Sequence, residues 1–292
     1  MKPPAFDYHV PSTLDEALNL ASQLGQDAKF IAGGQSLVPM MNFRLVHPSH
    51  LIDLNGIAAL SYLRVEGGEL CIGAMTRNRQ VELSPIVREG WPLINECMPF
   101  VAHVQIRNRG TLGGSLSHAD PAAELPAVMT ALDAKFVLRS NRATRTLAAK
   151  DFFVGTLTTA AEPGELLTEV RVPALPPATG WAYDELSRRR GDFALVGAAA
   201  LVHLAPDGRI DWARLTFTGF GERPTRARQA EQALRGQAAS EEVVRAAAEQ
   251  SVVDLTPESD LHASADYRRD TAKVIARRTL LKAIERSRTA SQ

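Results

Sequence analysis

Gln105-Ile106-Arg107-Asn108-Arg109-Gly110-Thr111-Leu112-Gly113-Gly114-Ser115, running on through Leu116-Ser117-His118-Ala119-Asp120-Pro121-Ala122-Ala123-Glu124-Leu125-Pro126, is the stretch on which the fold turns. Glycine has no Cβ, so backbone N–H groups beside consecutive glycines can approach and wrap a phosphate, and flanking Thr and Ser hydroxyls add donors. A turn of the same make-up, Ala32-Gly33-Gly34-Gln35-Ser36, follows a short apolar strand expected over residues 28–32 and precedes the apolar stretch 37–41. Two such turns can grip a diphosphate from two sides. Either pair taken alone reads equally as an ordinary turn needing positive φ.

Working outward, Ser12-Thr13-Leu14-Asp15-Glu16 offers an N-cap with a Glu three residues after Thr13, and Leu14, Ala17, Leu18 and Ala21 continue at helical spacing to Gly25. Strands are expected at 51–54, 60–65 and 70–73, with Gly67-Gly68 as a hairpin turn. Residues 78–104 read as helix punctuated by Pro85, Pro92 and Pro99; residues 116–121 read as loop, 124–132 as a buried helix and 135–139 as a strand. Three prolines within 173–177 argue for a domain linker. Beyond it, strands are expected at 181–186, 194–204 and 210–220, then helices at 225–234, 241–253 and 267–288. Val274, Leu281 and Ile284 mark the last helix, whose run of Arg and Lys reads as a solvated face. No fixed-period repeat is visible.

Composition excludes several classes. The 292 residues with 45% hydrophobic content exceed one average domain of about 100–200 residues, so two or three domains are expected. The 33 basic and 33 acidic residues cancel, which gives no general attraction to nucleic acid or an anionic membrane. The N-terminus lacks the apolar region of a signal peptide, and no apolar run reaches the roughly 18 residues of a membrane helix, so a cytoplasmic protein is expected. Cys71 and Cys97 form no CxxC pattern and read as small buried apolar residues. The seven histidines show no metal-ligand spacing, and P-loop, HExxH, GxSxG and GxGxxG signatures are missing. Gly219-Phe220-Gly221 reads as a turn or close-packing feature.

The segment around residues 105–126 resembles the FAD-binding subunit of molybdenum hydroxylases, the xanthine dehydrogenase and carbon monoxide dehydrogenase family. The likeness takes in residues 32–37, 44–54, 72–74, 187–194 and 223–227, in order and over nearly the whole chain. It implies an α+β fold: a two-part FAD-binding domain of the vanillyl-alcohol-oxidase type over 1–173, divided near 55–60, then a C-terminal domain over 178–288 with a three-stranded sheet and helices. Carried over by position, Ala32, Gly33, Gly34, Gln35 and Ser36, with Thr111, Leu112, Gly113, Gly114 and Ser115, resemble the loops whose amides hold the FAD diphosphate. Ser115 departs from the Asn or Asp often found there. Asp120 or Glu124, the latter favoured by analogy, would face ribityl or ribose hydroxyls. Leu166 would lie along the isoalloxazine, and Asp192-Phe193 resembles a segment that shields one flavin face, where an aromatic ring can stack.

The resemblance further implies electron transfer. A large partner subunit would carry the molybdenum cofactor and hydroxylate substrate, a small one would carry two [2Fe–2S] clusters, and this chain would pass electrons through FAD to an external acceptor, in a dimer of heterotrimers. No residue of this chain is expected to serve as acid, base or nucleophile. Two cysteines cannot ligate the extra cluster of the benzoyl-CoA-reductase branch. A stand-alone FAD oxidoreductase of related fold and a flavin-free assembly subunit are the alternatives.

Overall fold

Thr13 starts the first helix as its sequence suggests: its hydroxyl accepts the Glu16 N–H at 3.2 Å while the Glu16 carboxylate accepts the Thr13 N–H. The computed structural model describes residues 2–253 and 255–290. Its first part comprises β1 (Asp7–His9), α1 (Leu14–Leu24), β2 (Ala28–Ile31), α2 (Leu37–Asn42) and β3 (His50–Asp53), with the strands in a parallel sheet ordered β1-β3-β2. Ala17, Leu18 and Ala21 of α1 are buried against Ile52 and Leu54.

The second part is built on β4 (Leu63–Glu66), β5 (Glu69–Gly73), β6 (Lys135–Arg139), β7 (Thr144–Ala148) and β10 (Leu166–Pro173), an antiparallel sheet ordered β4-β5-β10-β6-β7. Between β5 and β6 run six short helices: α3 (Asn78–Leu83), α4 (Pro85–Gly90), α5 (Pro92–Cys97), α6 (Val104–Arg109), α7 (Leu112–His118) and α8 (Glu124–Ala131). The prolines at 85 and 92 each open a helix, where the missing N–H costs nothing. Between β7 and β10 lie α9 (Ala149–Phe152), β8 (Phe153–Gly155) and β9 (Thr158–Thr159). Gly67 and Gly68 both take positive φ in the β4–β5 turn.

The third part is a four-stranded antiparallel sheet of β11 (Gly180–Ser187), β12 (Ala194–Leu204), β13 (Ile210–Thr218) and β14 (Thr225–Arg226), followed by α10 (Arg228–Leu234), α11 (Glu241–Gln250) and α12 (Ala265–Ala290). Every residue of β12 from Ala194 to Val202 is buried, since both faces are covered: Ala199 and Leu201 join the core of the second part, while Ala198 and Ala200 face a core completed by α10, α11 and α12.

Three expectations change here. The last sheet has a fourth strand, because Thr225-Arg226 pair with Phe217 and Thr216 of β13 before the helix begins. Residues 116–118, expected as loop, continue α7, since the Thr111 hydroxyl caps its first turn. The basic last helix is not simply a solvated face. Its buried stripe is Ala272, Ile275, Ala276, Thr279, Leu280, Ala283 and Ile284, Val274 is exposed, Arg268 is buried, and Lys282 and Arg286 pair with Glu96 of α5.

β11 enters the sheet hard against α12. A Cβ on Gly180 would meet the Ala283 carbonyl oxygen and come within 2.6 Å of the Ser287 N. Gly180→Ala is therefore expected to cost about 1–3 kcal/mol of overpacking. Thermal denaturation checks this, and an unchanged midpoint would show that the helix stands off the strand.

Candidate functional site

The first glycine turn lies between β2 and α2. Its carbonyls are engaged: Asn55 Nδ2 donates to Ala32 O at 2.9 Å, and Gln35 Nε2 donates to Gly33 O at 2.9 Å. Its amides are not. Among the described residues, no acceptor meets the backbone N–H of Gly33, Gly34, Gln35, Ser36 or Leu37. Gly34 takes φ +72°, which curls the turn so that successive N–H groups can converge on one anion.

The second turn is built differently. Leu112 N donates to Thr76 O at 3.0 Å, Gly113 N to Ala74 O at 2.9 Å, Gly114 N to Thr111 Oγ1 at 3.0 Å and Ser115 N to Thr111 O at 3.0 Å. These amides are spent on the end of β5 and on the helix cap, so the expectation that both turns offer backbone N–H groups is met only at the first. The second turn presents the half-buried Ser115 hydroxyl, which makes no hydrogen bond among the described residues.

The glycines serve close approach more than empty space. A Cβ on Gly33 would strike the Arg109 carbonyl oxygen and lie 2.7 Å from Gly110 Cα; one on Gly113 would lie 2.7 Å from Ala74 O; one on Gly114 would face Thr111 Oγ1 at 2.8 Å and Ala32 Cβ at 3.6 Å. The two turns therefore pack on each other. Of the four glycines in the two pairs, only Gly34 needs positive φ.

From the second turn, α7 runs seven residues, about 10 Å, toward an open cleft of about 630 Å³. Ala119, with φ +53°, ends the helix, and Asp120 Oδ1 accepts the Ala122 N–H at 2.9 Å. Pro121 and Ala122 form one wall of the cleft; Asp192 and Phe193 form another, with Glu222, Asp260 and Arg268 beyond. Phe193 is 57% exposed, so it is not a core aromatic. The loop carrying it rests on α6: Gly191 takes φ +88°, and a Cβ there would lie 2.6 Å from His103 Nδ1. Arg188 Nη2 approaches Asp192 Oδ2 at 3.7 Å, while Arg189 and Arg190 are exposed.

Two expected site residues are buried in the protein. Glu124 opens α8 but is only 4% exposed, buried beside Glu185 of β11. All eight residues of α8 are buried, Glu124 among them. Burial first, then the Glu185 carboxylate, push its pKa up to about 8. Leu166 is 7% exposed within an apolar cluster with Leu54, Leu60 and Met75, so it is offered to packing.

Sequence reasoning missed Asn55 and Arg77. Arg77 Nη2 donates to Asn55 Oδ1 at 2.6 Å, and Arg77 Nη1 donates to Arg109 O. Both lie at loop or helix-cap positions with no periodicity to mark them, and their partners are more than twenty residues away. Cys71 and Cys97 are buried. Among the described residues no His/Cys/Asp/Glu group is arranged to hold a metal ion, and no helix is long and apolar enough to cross a membrane.

The residues at the first turn fit a diphosphate: five successive amides have no acceptor among the described residues, and such a run of N–H donors suits an anion. Comparison with known proteins gives the ligand. The family described as the FAD binding domain in molybdopterin dehydrogenase matches residues 4–175, and the CO dehydrogenase flavoprotein C-terminal domain matches residues 181–283. The chain is 44% identical over 288 residues to subunit alpha of the 6-hydroxypseudooxynicotine dehydrogenase complex of Paenarthrobacter nicotinovorans, covering 99% of this chain and 97% of that one. It is 40% identical to the carbon monoxide dehydrogenase medium chain of Hydrogenophaga pseudoflava, over 96% of this chain and 97% of that one. Among solved structures, a chain of carbon monoxide dehydrogenase from H. pseudoflava superposes with a TM-score of 0.95 at 42% identity, covering 98% and 99% of the two chains. One of quinoline 2-oxidoreductase from Pseudomonas putida 86 superposes at 0.93 and 41% identity with the same coverage. The free-amide turn, the turn packed against it and these matches along the whole chain lead to one assignment: the protein belongs to the medium, FAD-binding subunits of the molybdenum hydroxylases, and is an oxidoreductase subunit.

Proposed function

We propose that this chain is the electron outlet of a multi-chain molybdenum hydroxylase, assembled with a large molybdenum-cofactor subunit and a small subunit bearing two [2Fe–2S] clusters. The observation that carries the reading is the row of five free amides at Gly33–Leu37, braced by the second glycine turn and joined by α7 to an open cleft. When bound, FAD supplies a two-electron carrier between the partner's clusters and an external acceptor.

The chain's own residues bind and orient. The amides of 33–37 hold the diphosphate, with the Ser36 and Ser115 hydroxyls as further donors. Asp120, at the end of α7, receives hydroxyls of the ribityl or ribose. Asp192 and Phe193 flank the ring in the cleft, where the exposed phenyl stacks and limits water access. Neither a protein acid nor a nucleophile is required of this chain. We place the complex in the cytoplasm as a dimer of heterotrimers; the relatives named as medium chains and complex subunits support the presence of partner subunits.

The test is the flavin content of the purified full chain, with the cofactor released by heat and identified by chromatography. About one FAD per chain is expected. A protein that neither carries FAD nor takes it up when added would overturn the reading and move the weight to an assembly role.

A further inference from the structure

Asn55 and Arg77 form a clasp between the two glycine turns. Asn55 follows β3; its Nδ2 holds Ala32 O of the first turn at 2.9 Å, and its Oδ1 accepts Arg77 Nη2 at 2.6 Å. Arg77 belongs to the second turn by its main chain, pairing as an isolated bridge with Thr111, while the next residue's N–H donates to Gly110 O at 3.0 Å. Its other guanidinium nitrogen donates to Arg109 O, the carbonyl against which Gly33 is packed.

The clasp is itself anchored. Asp53 Oδ1 accepts both the Asn55 backbone N–H, at 2.9 Å, and the Asn55 side-chain amide, and Asp53 Oδ2 accepts the Tyr8 hydroxyl of β1. This fixes which way the Asn55 amide faces. The consequence for the site is directional: in the trans Ala32–Gly33 peptide, holding the Ala32 carbonyl on one side leaves the Gly33 N–H, the first of the unengaged amides, on the other. A planar guanidinium can donate from two nitrogens at a fixed angle, which a lysine ammonium cannot reproduce.

We infer that Asn55 and Arg77 are positioning residues for the diphosphate site, setting FAD affinity by holding the first turn against the second. The inference rests on the FAD reading above and extends it to residues that do not themselves touch the ligand.

The test uses the full chain freed of flavin, titrated with FAD and separately with ADP, which carries the diphosphate without the flavin. Losing a charge-assisted hydrogen bond in the clasp is worth about ten- to hundredfold in the dissociation constant. Asn55→Ala and Arg77→Met should each weaken FAD by that factor and ADP by the same factor, with apo-protein melting midpoints near wild type. Arg77→Lys, which keeps the charge and is the gentler change if Arg77→Met folds poorly, should still weaken both ligands. Variants that bind FAD within about twofold of wild type overturn the inference, as does a loss confined to FAD with ADP unaffected. A wild-type chain that binds no FAD instead overturns the function proposed above, so the two failures are told apart.

Discussion

Gly33→Ala is expected to leave the purified chain essentially free of FAD, a larger effect than Gly34→Ala at the neighbouring position. The two glycines do different work. A methyl on Gly33 would strike the Arg109 carbonyl oxygen and lie 2.7 Å from Gly110 Cα, both main-chain atoms that cannot swing aside. The turns must then separate, at about 1–3 kcal/mol of strain, and the row of amides loses its backing. At Gly34 the added methyl meets only side-chain ends, Val38 at 3.2 Å and Ile31 at 3.5 Å, so the cost is chiefly that of holding an L-residue at φ +72°, about 1–2 kcal/mol. Flavin stoichiometry after gel filtration separates the two. Full FAD occupancy in Gly33→Ala would show that the second turn does not brace the first.

The second large effect is on pH. Glu124 is buried at the start of α8, which packs on β12 and β13, and the half-buried Glu185 of β11 lies near enough for its charge to act on it. Burial pushes the Glu185 carboxyl up to about 7, although the Tyr183 hydroxyl, donating to it at 2.7 Å, works the other way. Glu124 stands higher, at about 8, with Asp120 adding to the repulsion and Arg107 opposing it. Buried Cys97 and Tyr183 around them stay neutral, their own values raised by burial.

Both carboxyls therefore titrate above their unfolded value of about 4.3, so the folded state prefers the protonated forms. The stability they confer is complete below that value and is lost as pH rises through about 7 and about 8. Each tenfold gain in proton affinity on folding is worth about 1.4 kcal/mol, so the loss amounts to several kcal/mol. Between pH 6 and pH 9 the wild-type melting midpoint is expected to fall by on the order of 5 °C or more. Glu124→Gln should flatten that slope and keep its FAD, because the carboxyl is buried. Parallel midpoint curves for the wild type, Glu124→Gln and Glu185→Gln would refute the coupling. Loss of FAD from Glu124→Gln alone would return this residue to the ligand site.

Much of the architecture is legible along the chain because the signals are local. Thr13 with Glu16, Thr111 before Gly114, and Gly67-Gly68 between two apolar runs each specify a cap or a turn within four residues. The boundaries that went astray have local conditions that tertiary contacts complete: Thr225-Arg226 are a strand only because β13 is there to pair with, and Val274 is exposed because the helix face toward the sheet is set by Gly180 and its neighbours.

The site divides in the same way. Alone, the sequence determined that two glycine turns exist and, through its resemblance, that FAD is the ligand. Which turn has amides to give was decided only by the tertiary structure. Gly113 N and Leu112 N are consumed by the Ala74 and Thr76 carbonyls at the end of β5, whereas the first turn has its carbonyls taken and its N–H groups left over. The burial of Glu124 against Glu185 and the Asn55–Arg77 clasp join residues from twenty-two to sixty-one positions apart. A hydrogen-bonding group becomes a binding group only when no neighbour claims it, and those neighbours are brought by the fold from segments that carry no mark of one another.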